Sequence, residues 1–182
     1  DYALSEGIYL TGSKIGYIYF YSEERQEFIL NSWSHEVMAE CGVMNLQTCY
    51  ELDKTGLWGE AVRQGKPIIL NNYQSRHPLK RGTPPGHVRL EKFMTIPLFE
   101  AGRIVAVVGM ANKETDYTEL DCTQLSLLMD SVWKECSHRR VRNELWDSEI
   151  RNTAIINNLP NGFLLILNRE MRILVASGDD LA

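Results

Sequence analysis

An apolar run at residues 104–111 limits most strongly what this chain can fold into. It reads Ile-Val-Ala-Val-Val-Gly-Met-Ala, and its β-branched residues predict a strand buried on at least one face. Asn112 and Lys113 follow with side chains that can fix a turn. Asp121 comes near the start of the next helix, where a carboxylate favours the positive end of the helix dipole. We therefore expect a Lys113–Asp121 ion pair that braces the last strand against the last helix, with contact to a ligand as the alternative.

Composition limits the class of protein. A chain of 182 residues is one domain, or one domain plus a fragment. Its net charge of −5 argues against nucleic acid as a main partner. The apolar runs are too short to span a bilayer, so no direct membrane insertion is expected. The four cysteines form no CxxC pair and no signal peptide is visible, which favours reduced thiols and a cytoplasmic location.

The order of predicted elements indicates an α+β fold. We expect the end of a helix at 1–12, a strand hairpin at 15–21 and 26–33, and short helices at 34–41 and 56–64. A strand at 68–70 follows Pro67, a polar and basic loop covers 71–86, and a second hairpin joins 93–99 to 103–110. Together these predict a central antiparallel sheet of five or six strands with helices on both sides, and with the first and last helices on the same face.

Residues 120–157 have the periodicity of one long helix. Apolar or small residues recur at three- and four-residue steps, first as Leu125, Leu128, Val132 and Cys136, then as Val141, Leu145, Ser148, Asn152 and Ile155. Such a helix would be about 50 Å long, which exceeds the flank of one small domain. We predict a connector that forms a parallel homodimer through residues 120–157. The alternative is two shorter helices broken near Ser137.

The last residues carry a different pattern. Asn157-Asn-Leu-Pro-Asn-Gly-Phe163 should end the helix, and apolar stretches at 163–167 and 173–176 predict a new hairpin. About twenty-five residues are too few to bury a core of their own.

Several short motifs together resemble one known family. They are Leu10-Thr-Gly-Ser-Lys-Ile-Gly-Tyr-Ile-Tyr19, Ser32-Trp-Ser34, Val37-Met38, Cys41, Thr55-Gly-Leu-Trp-Gly59, Gly65-Lys-Pro-Ile68, Gly86-His-Val88, Ile96-Pro97 and Asn112-Lys113. This pattern is similar to the GAF domains of bacterial and archaeal multi-domain sensors, mostly sensor histidine kinases with GAF and PAS modules in tandem. The resemblance implies a GAF-like sensor domain at 1–136, a helical linker at 137–157 and the start of a PAS-like domain at 158–182. It implies a regulatory, non-enzymatic part of a two-component system, with the kinase output outside this chain.

The resemblance also implies where a ligand would bind. In a GAF-like fold one sheet face packs on helices and the other is roofed, here by residues 34–92. The candidate ligand-binding residues share a position in or beside this roof and are Trp33, Cys41, Trp58, Asn72, His87 and Phe93. The alternative is that both Trp side chains only pack the core, so that the domain is a ligand-free dimerisation spacer.

Two kinds of chemistry remain open for the roof residues. His87 could ligate haem iron and Cys41 could hold the macrocycle through a thioether, although the CxxCH attachment motif is absent. Alternatively, Cys41 and Cys49 could act as nucleophile and resolving thiol of a methionine sulfoxide reductase, although no adjacent basic residue favours a thiolate. Cys41, Cys49, His35 and His87 match no common zinc spacing, so no metal site is predicted.

Overall fold

The computed structural model describes residues 2–34, 49–80, 88–157 and 163–178, which divide into two compact units, 1–133 and 134–182. The helices and strands of the first unit are α1 (Tyr2–Thr11), β1 (Ile15–Ser22), β2 (Glu27–Trp33), β3 (Cys49–Glu51), α2 (Glu60–Gln64), β4 (Ile68–Leu70), β5 (Phe93–Glu100), β6 (Arg103–Ala111) and the first part of α3 (Glu119–Asn157). Two 3₁₀ turns, Leu52–Lys54 and Leu57–Gly59, precede α2. The predicted helix at 34–41 lies outside the described residues after Ser34.

The first unit is built on an antiparallel sheet of six strands in the order β3-β2-β1-β6-β5-β4. The hairpins β1–β2 and β5–β6 were predicted, and so was β4. The sheet thus confirms the α+β prediction. The short strand β3 was not predicted. At the centre of the sheet β1 pairs with β6, from Ile15 opposite Ala111 to Phe20 opposite Ala106.

Helices α1 and α3 cover one face of this sheet, as predicted. Because side chains alternate along a strand, the even-numbered residues of β5 and β6 point to these helices. The fully buried members of this core include Met94, Ile96, Val108, Met110 and Leu125. Helix α1 approaches so closely that a Cβ on Gly7 would lie 2.7 Å from the terminal methyl of Met110. The core of this face is therefore closely packed, mainly by aliphatic side chains.

Helix α3 runs without a break from Glu119 to Asn157, so the predicted alternative of two helices separated near Ser137 is wrong. The predicted apolar stripe is also wrong in part. Leu125 and Met129 are buried against the sheet, whereas Cys136 is exposed. Sixteen residues turn an α-helix by about 160° beyond whole turns, so Leu125 and Val141 lie on different sides of it.

A second stripe of α3 faces away from the core. Leu120 and Leu127 are each 64% exposed and stand seven residues apart. Val141 continues the same seven-residue series after Lys134 and is 65% exposed, with Leu145 beside it at 59%. A seven-residue series keeps to one side of a helix, so these side chains form one exposed apolar stripe.

The second unit comprises the rest of α3 and the hairpin of β7 (Phe163–Leu167) and β8 (Ile173–Gly178). This hairpin was predicted. Its turn is fixed by Asn168, whose side-chain oxygen accepts hydrogen bonds from the backbone N–H groups of Glu170 and Arg172, each at 2.9 Å. Within the described residues, no helix is both long and apolar enough to cross a membrane.

Candidate functional site

The face of the sheet opposite α1 and α3 is aromatic. We call it the aromatic face and define it by six rings: Tyr17, Tyr19, Phe28, Tyr50, Trp58 and Phe93. Strand alternation places the odd-numbered residues of β1 there, while Ile18 on the same strand packs under the helices. The turn Leu57–Gly59 and helix α2 carry the residues that cover it.

Trp58 lies at the centre of the aromatic face. Its ring centroid is 4.7 Å from that of Phe28, 5.2 Å from Tyr19, 5.6 Å from Tyr50 and 6.1 Å from Tyr17. Most of these contacts are edge-to-face or tilted, the arrangements that aromatic quadrupoles favour. Trp58 remains half-buried despite these neighbours. Packing therefore fixes the indole, but it does not seal the ring from solvent.

Tyr17 lies flat across the middle of the sheet because its neighbour has no side chain. Tyr17 pairs with Gly109 on β6, and Gly109 pairs with Thr95 on β5. A Cβ on Gly109 would lie 2.2 Å from Cζ of Tyr17, so only glycine leaves room for the ring. The Tyr17 hydroxyl thereby reaches Oγ1 of the fully buried Thr95 at 3.5 Å. Burial raises the pKa of Tyr17 far above its ordinary value, so the hydroxyl stays protonated and can donate.

The structure brings together three of the predicted ligand-binding residues. Trp58 belongs to the aromatic face, Trp33 lies 6.5 Å from Tyr19, and Phe93 stacks 6.4 Å from Tyr17. Asn72 is exposed instead, and its side-chain oxygen accepts a hydrogen bond from the Ser75 backbone N–H at 3.1 Å. Cys41 and His87 lie outside the described residues.

Sequence reasoning missed the tyrosines of this site. Tyr17, Tyr19 and Tyr21 alternate with apolar residues along β1, which indicates one tyrosine-lined face. That signal was available at the sequence level. Tyr73 was missed as well, and its ring lies 5.9 Å from Phe93. Its place could not be predicted because it follows from the course of a loop.

A second cluster of polar groups joins the roof side of the domain to the start of α3. The Asn71 amide donates to the Tyr117 carbonyl at 2.9 Å and accepts from the Tyr117 N–H at 2.7 Å. The Tyr117 hydroxyl is 2.6 Å from Oγ of Ser13, just after α1. Burial raises the pKa of Tyr117 to about 12. One buried tyrosine thus connects β4, α1 and α3.

The Lys113–Asp121 ion pair was predicted and is confirmed, with Nζ 2.5 Å from Oδ1. The other carboxylate oxygen accepts from the N–H and the hydroxyl of Thr118, at 2.7 and 2.9 Å, which caps the start of α3. Burial alone would raise the pKa of Asp121. The Lys113 ammonium and the Thr118 hydrogen bonds outweigh it and hold the pKa below its usual value. The pair therefore connects the end of β6 to the start of α3, as in the prediction of an ion pair that braces the last strand against the last helix.

Asn112 fixes the turn between β6 and this ion pair. Its φ is +61°, a left-handed conformation that asparagine tolerates better than most residues. Its side chain accepts from the Glu91 N–H and donates to the Arg89 carbonyl, both at 2.8 Å. Within the described part of the chain, no group of three or more His, Cys, Asp or Glu side chains is placed to hold a metal ion.

A six-stranded antiparallel sheet with its terminal helices on one face and an aromatic opposite face is the architecture of the GAF class of domains. Residues 1–134 match the GAF domain family, so this chain belongs to that family.

One similar protein is the methyl sulfide methyltransferase-associated sensor of Methanosarcina acetivorans. It is 44% identical over 145 residues, which are 80% of this chain and 14% of that protein. This chain thus corresponds to about one seventh of its relative.

Solved structures agree on the fold. The GAF domain of a phosphoenolpyruvate-protein phosphotransferase from Coxiella burnetii has a TM-score of 0.61 at 17% identity and covers 78% of this chain and 82% of its own. A free methionine-R-sulfoxide reductase from Neisseria meningitidis has a TM-score of 0.52 at 16% identity, covering 72% and 77%. At such identities the likeness concerns the fold alone.

Proposed function

We propose that this chain is the sensor module of a larger signalling protein and binds a small molecule between the aromatic face and the roof at residues 34–92. The observation that carries the proposal is a contrast between the two faces of the sheet. The core of the helical face is formed mainly by fully buried aliphatic side chains, together with the partly buried ring pair of Phe20 and Trp133. The aromatic face instead carries a cluster of rings, of which Tyr17, Tyr50 and Trp58 are only partly buried. Partly buried rings around a few fixed polar groups are typical of a ligand site.

The polar groups available there are the tyrosine hydroxyls. The Tyr17 hydroxyl donates its hydrogen to Thr95 Oγ1, so its oxygen is left to accept a hydrogen bond from a ligand. The name of the Methanosarcina relative, a sensor, supports the same role. We further propose that the module works in the cytoplasm, that residues 158–182 begin a PAS-like domain, and that the output, of histidine kinase type, lies outside this chain.

Ligand binding can be tested by tryptophan emission. In a Trp133→Phe/Trp146→Phe background only Trp33 and Trp58 report, and both belong to the roof side. We expect at least one compound from a panel of aromatic acids, cyclic nucleotides and haemin to shift this emission. Phe93→Ala should weaken that compound about tenfold or more, because it removes a ring stacked on Tyr17. Tyr9→Ala, at an 86% exposed ring on α1, is the control.

Haem is a separate arm of this experiment. A Soret shift on adding haemin that is lost in His87→Ala or Cys41→Ala would support haem binding through these residues. An unshifted spectrum in the parent protein excludes haem.

If native mass spectrometry of fresh protein and the whole panel give no bound compound, the domain is a ligand-free spacer. A methionine sulfoxide reductase would instead consume free methionine sulfoxide with a thiol reductant and depend on Cys41 and Cys49.

We also propose that the second stripe of α3 pairs with the same helix of another copy to pass the signal onward. Leu120, Leu127, Val141 and Leu145 share that stripe and are all more than half exposed. Large apolar side chains repeated in sevens favour a parallel two-helix contact. The Asn71–Tyr117 contact joins the roof side to the residues just before α3, and the Asp121 side chain caps the first turn of that helix. A displacement of the roof would therefore also displace the start of the helix.

The homodimer predicts a specific effect of charge. Val141→Asp/Leu145→Asp should convert a dimer into a monomer in sedimentation at tens of micromolar protein, because it buries four carboxylates in one contact. The matched control is Trp146→Asp/Ile150→Asp, which adds the same charges at side chains 63% and 53% exposed on another side of the helix. A parent monomer, or equal effects of both double variants, would contradict the pairing.

A further inference from the structure

The loop after β4 forms a shallow surface cavity with basic side chains that the proposed function does not use. Its volume is about 510 Å³ and it is open to solvent. The cavity is lined by Gln74, Ser75, Arg76, His77, Pro78 and Lys80. The chain as a whole has 24 acidic and 19 basic residues, yet the described lining of this cavity contains bases and no acid. The described lining is therefore basic although the chain as a whole carries a net negative charge.

Hydrogen bonds fix the loop that forms the cavity. The Ser75 N–H donates to the Asn72 side-chain oxygen at 3.1 Å and the Ser75 hydroxyl donates to the Asn72 carbonyl at 2.8 Å. Further on, the Lys80 N–H donates to the His77 carbonyl at 3.1 Å. The Gln74 amide donates to the Leu90 carbonyl at 2.6 Å, which ties the loop to the residues before β5. A ligand would thus find these groups largely ordered in advance.

The Lys80 ammonium is held at one side of the cavity. Two of its N–H groups donate to the carbonyls of Tyr73 and Ser75, the latter at 2.8 Å, and its nitrogen lies 4.1 Å from the Tyr73 ring centroid. An ammonium has three donors, so one is left for a ligand. A charge fixed by backbone carbonyls keeps its position when a counter-ion arrives, unlike a mobile surface lysine.

Arg76 and His77 provide the other donors. Among the described residues, neither side chain takes part in a salt bridge. Nδ1 of His77 accepts from the Leu79 N–H at 3.3 Å, so the neutral imidazole carries its proton on Nε2, where it can donate. The Arg76 guanidinium offers a planar fork that matches an oxyanion.

We propose that this cavity binds a small oxyanion, a phosphate or carboxylate group, between Arg76, His77 and Lys80. The site is separate from the aromatic face. The ring of Tyr73 stands between them, in contact with Phe93 in one direction and with the Lys80 ammonium in the other. The proposal therefore does not rest on a ligand at the aromatic face.

The test is calorimetric titration of the whole chain with inorganic phosphate and, separately, with acetate at low ionic strength. We expect saturable one-to-one binding of at least one of them, and the tighter anion shows whether phosphate or carboxylate is preferred. Arg76→Gln should weaken it about tenfold or more, because one charge-assisted bidentate contact is lost. Arg25→Gln, at an exposed base in the β1–β2 turn, should leave it unchanged.

A second measurement needs no variant. In the ¹⁵N-labelled parent protein, phosphate or acetate should shift the backbone amides of residues 74–77, 79 and 80 and leave those near Arg25 in place. No saturable binding of either anion, or equal weakening in both Arg variants, would overturn the proposal. If an anion binds at this loop while no compound binds at the aromatic face, the oxyanion proposal is supported and the proposed sensor ligand is contradicted.

Discussion

A Gly109→Ala variant is expected to unfold about 10 °C below the parent protein, a loss of about 3 kcal/mol. The added Cβ would overlap the Tyr17 ring, with Cζ at 2.2 Å and the hydroxyl oxygen at 2.5 Å. The ring cannot retreat easily, because Tyr19, Trp58 and Phe93 surround it. Either the ring leaves its place at Thr95 or β6 shifts from β1. Thermal unfolding followed by far-UV circular dichroism measures the loss.

Two further variants separate this overlap from a general cost of replacing glycine. Gly12→Ala adds a methyl where nothing lies within 4 Å but φ is +65°, so it should cost only about 1 kcal/mol. Tyr17→Ala should lower the unfolding free energy less in the Gly109→Ala background than in the parent protein. In that background the truncation also removes the overlap between the Tyr17 ring and the added methyl group. Strict additivity of the two would show that the ring is not the obstacle.

An Asp121→Ala variant is expected to lose about 3 kcal/mol of unfolding free energy at pH 7. The Asp121 side chain is 8% exposed and that of Lys113 is 20% exposed, so solvent screens their ion pair only weakly. Removing the carboxylate leaves the ammonium without its partner and the Thr118 N–H without its acceptor. Urea unfolding of variant and parent gives the difference.

The same carboxylate predicts a pH dependence with a defined sign. Its folded pKa lies below the ordinary value, so its stabilisation is complete above the unfolded pKa of about 3.9. It is lost as the pH falls through the lower folded pKa. The gap between parent and Asp121→Ala should therefore be constant above about pH 5 and narrow in stronger acid.

Asp116 is the matched control for this ion pair. It contacts Lys92 at 3.0 Å but is 68% exposed, so Asp116→Asn should cost well under about 1 kcal/mol. A loss at Asp116 equal to that at Asp121, or a gap that does not change in acid, would contradict the account of the cap.

Much of this fold could be predicted because its larger elements carry regular patterns. Each of the two hairpins consists of two largely apolar stretches joined by a short turn. Gly65, at φ +60°, ends α2 where expected. Strand β3 could not be predicted, since three residues, Cys49-Tyr-Glu51, contain no period. The apolar stripe was misread for a different reason. Leu125 and Val141 are both apolar, but the rotation of the helix between them places Leu125 on the sheet side and Val141 on an exposed side.

The candidate site was predicted less completely than the fold. Bulky residues such as Trp58 and Phe93 stand out in any sequence, and both lie on the aromatic face. The tyrosines of β1 alternate with Ile18 and Phe20, and this signal was overlooked because all of these residues are bulky and largely apolar, so the two faces of the strand differ little in polarity. Of two adjacent asparagines, the loop turns Asn71 inward to Tyr117 and Asn72 outward to Ser75. Such a choice depends on backbone geometry that neighbouring residues do not encode.

The strand order has a consequence for how the chain acquires its structure. The central pair of the sheet joins residues 15–20 to residues 106–111, so its contacts span about ninety positions. Each hairpin can form locally, but closing so long a loop costs entropy before any contact is gained. On a ribosome, β1 and β2 must therefore wait with an open edge until β6 has emerged. The exposed edge of β1 is the part of the nascent chain most open to pairing with a wrong strand.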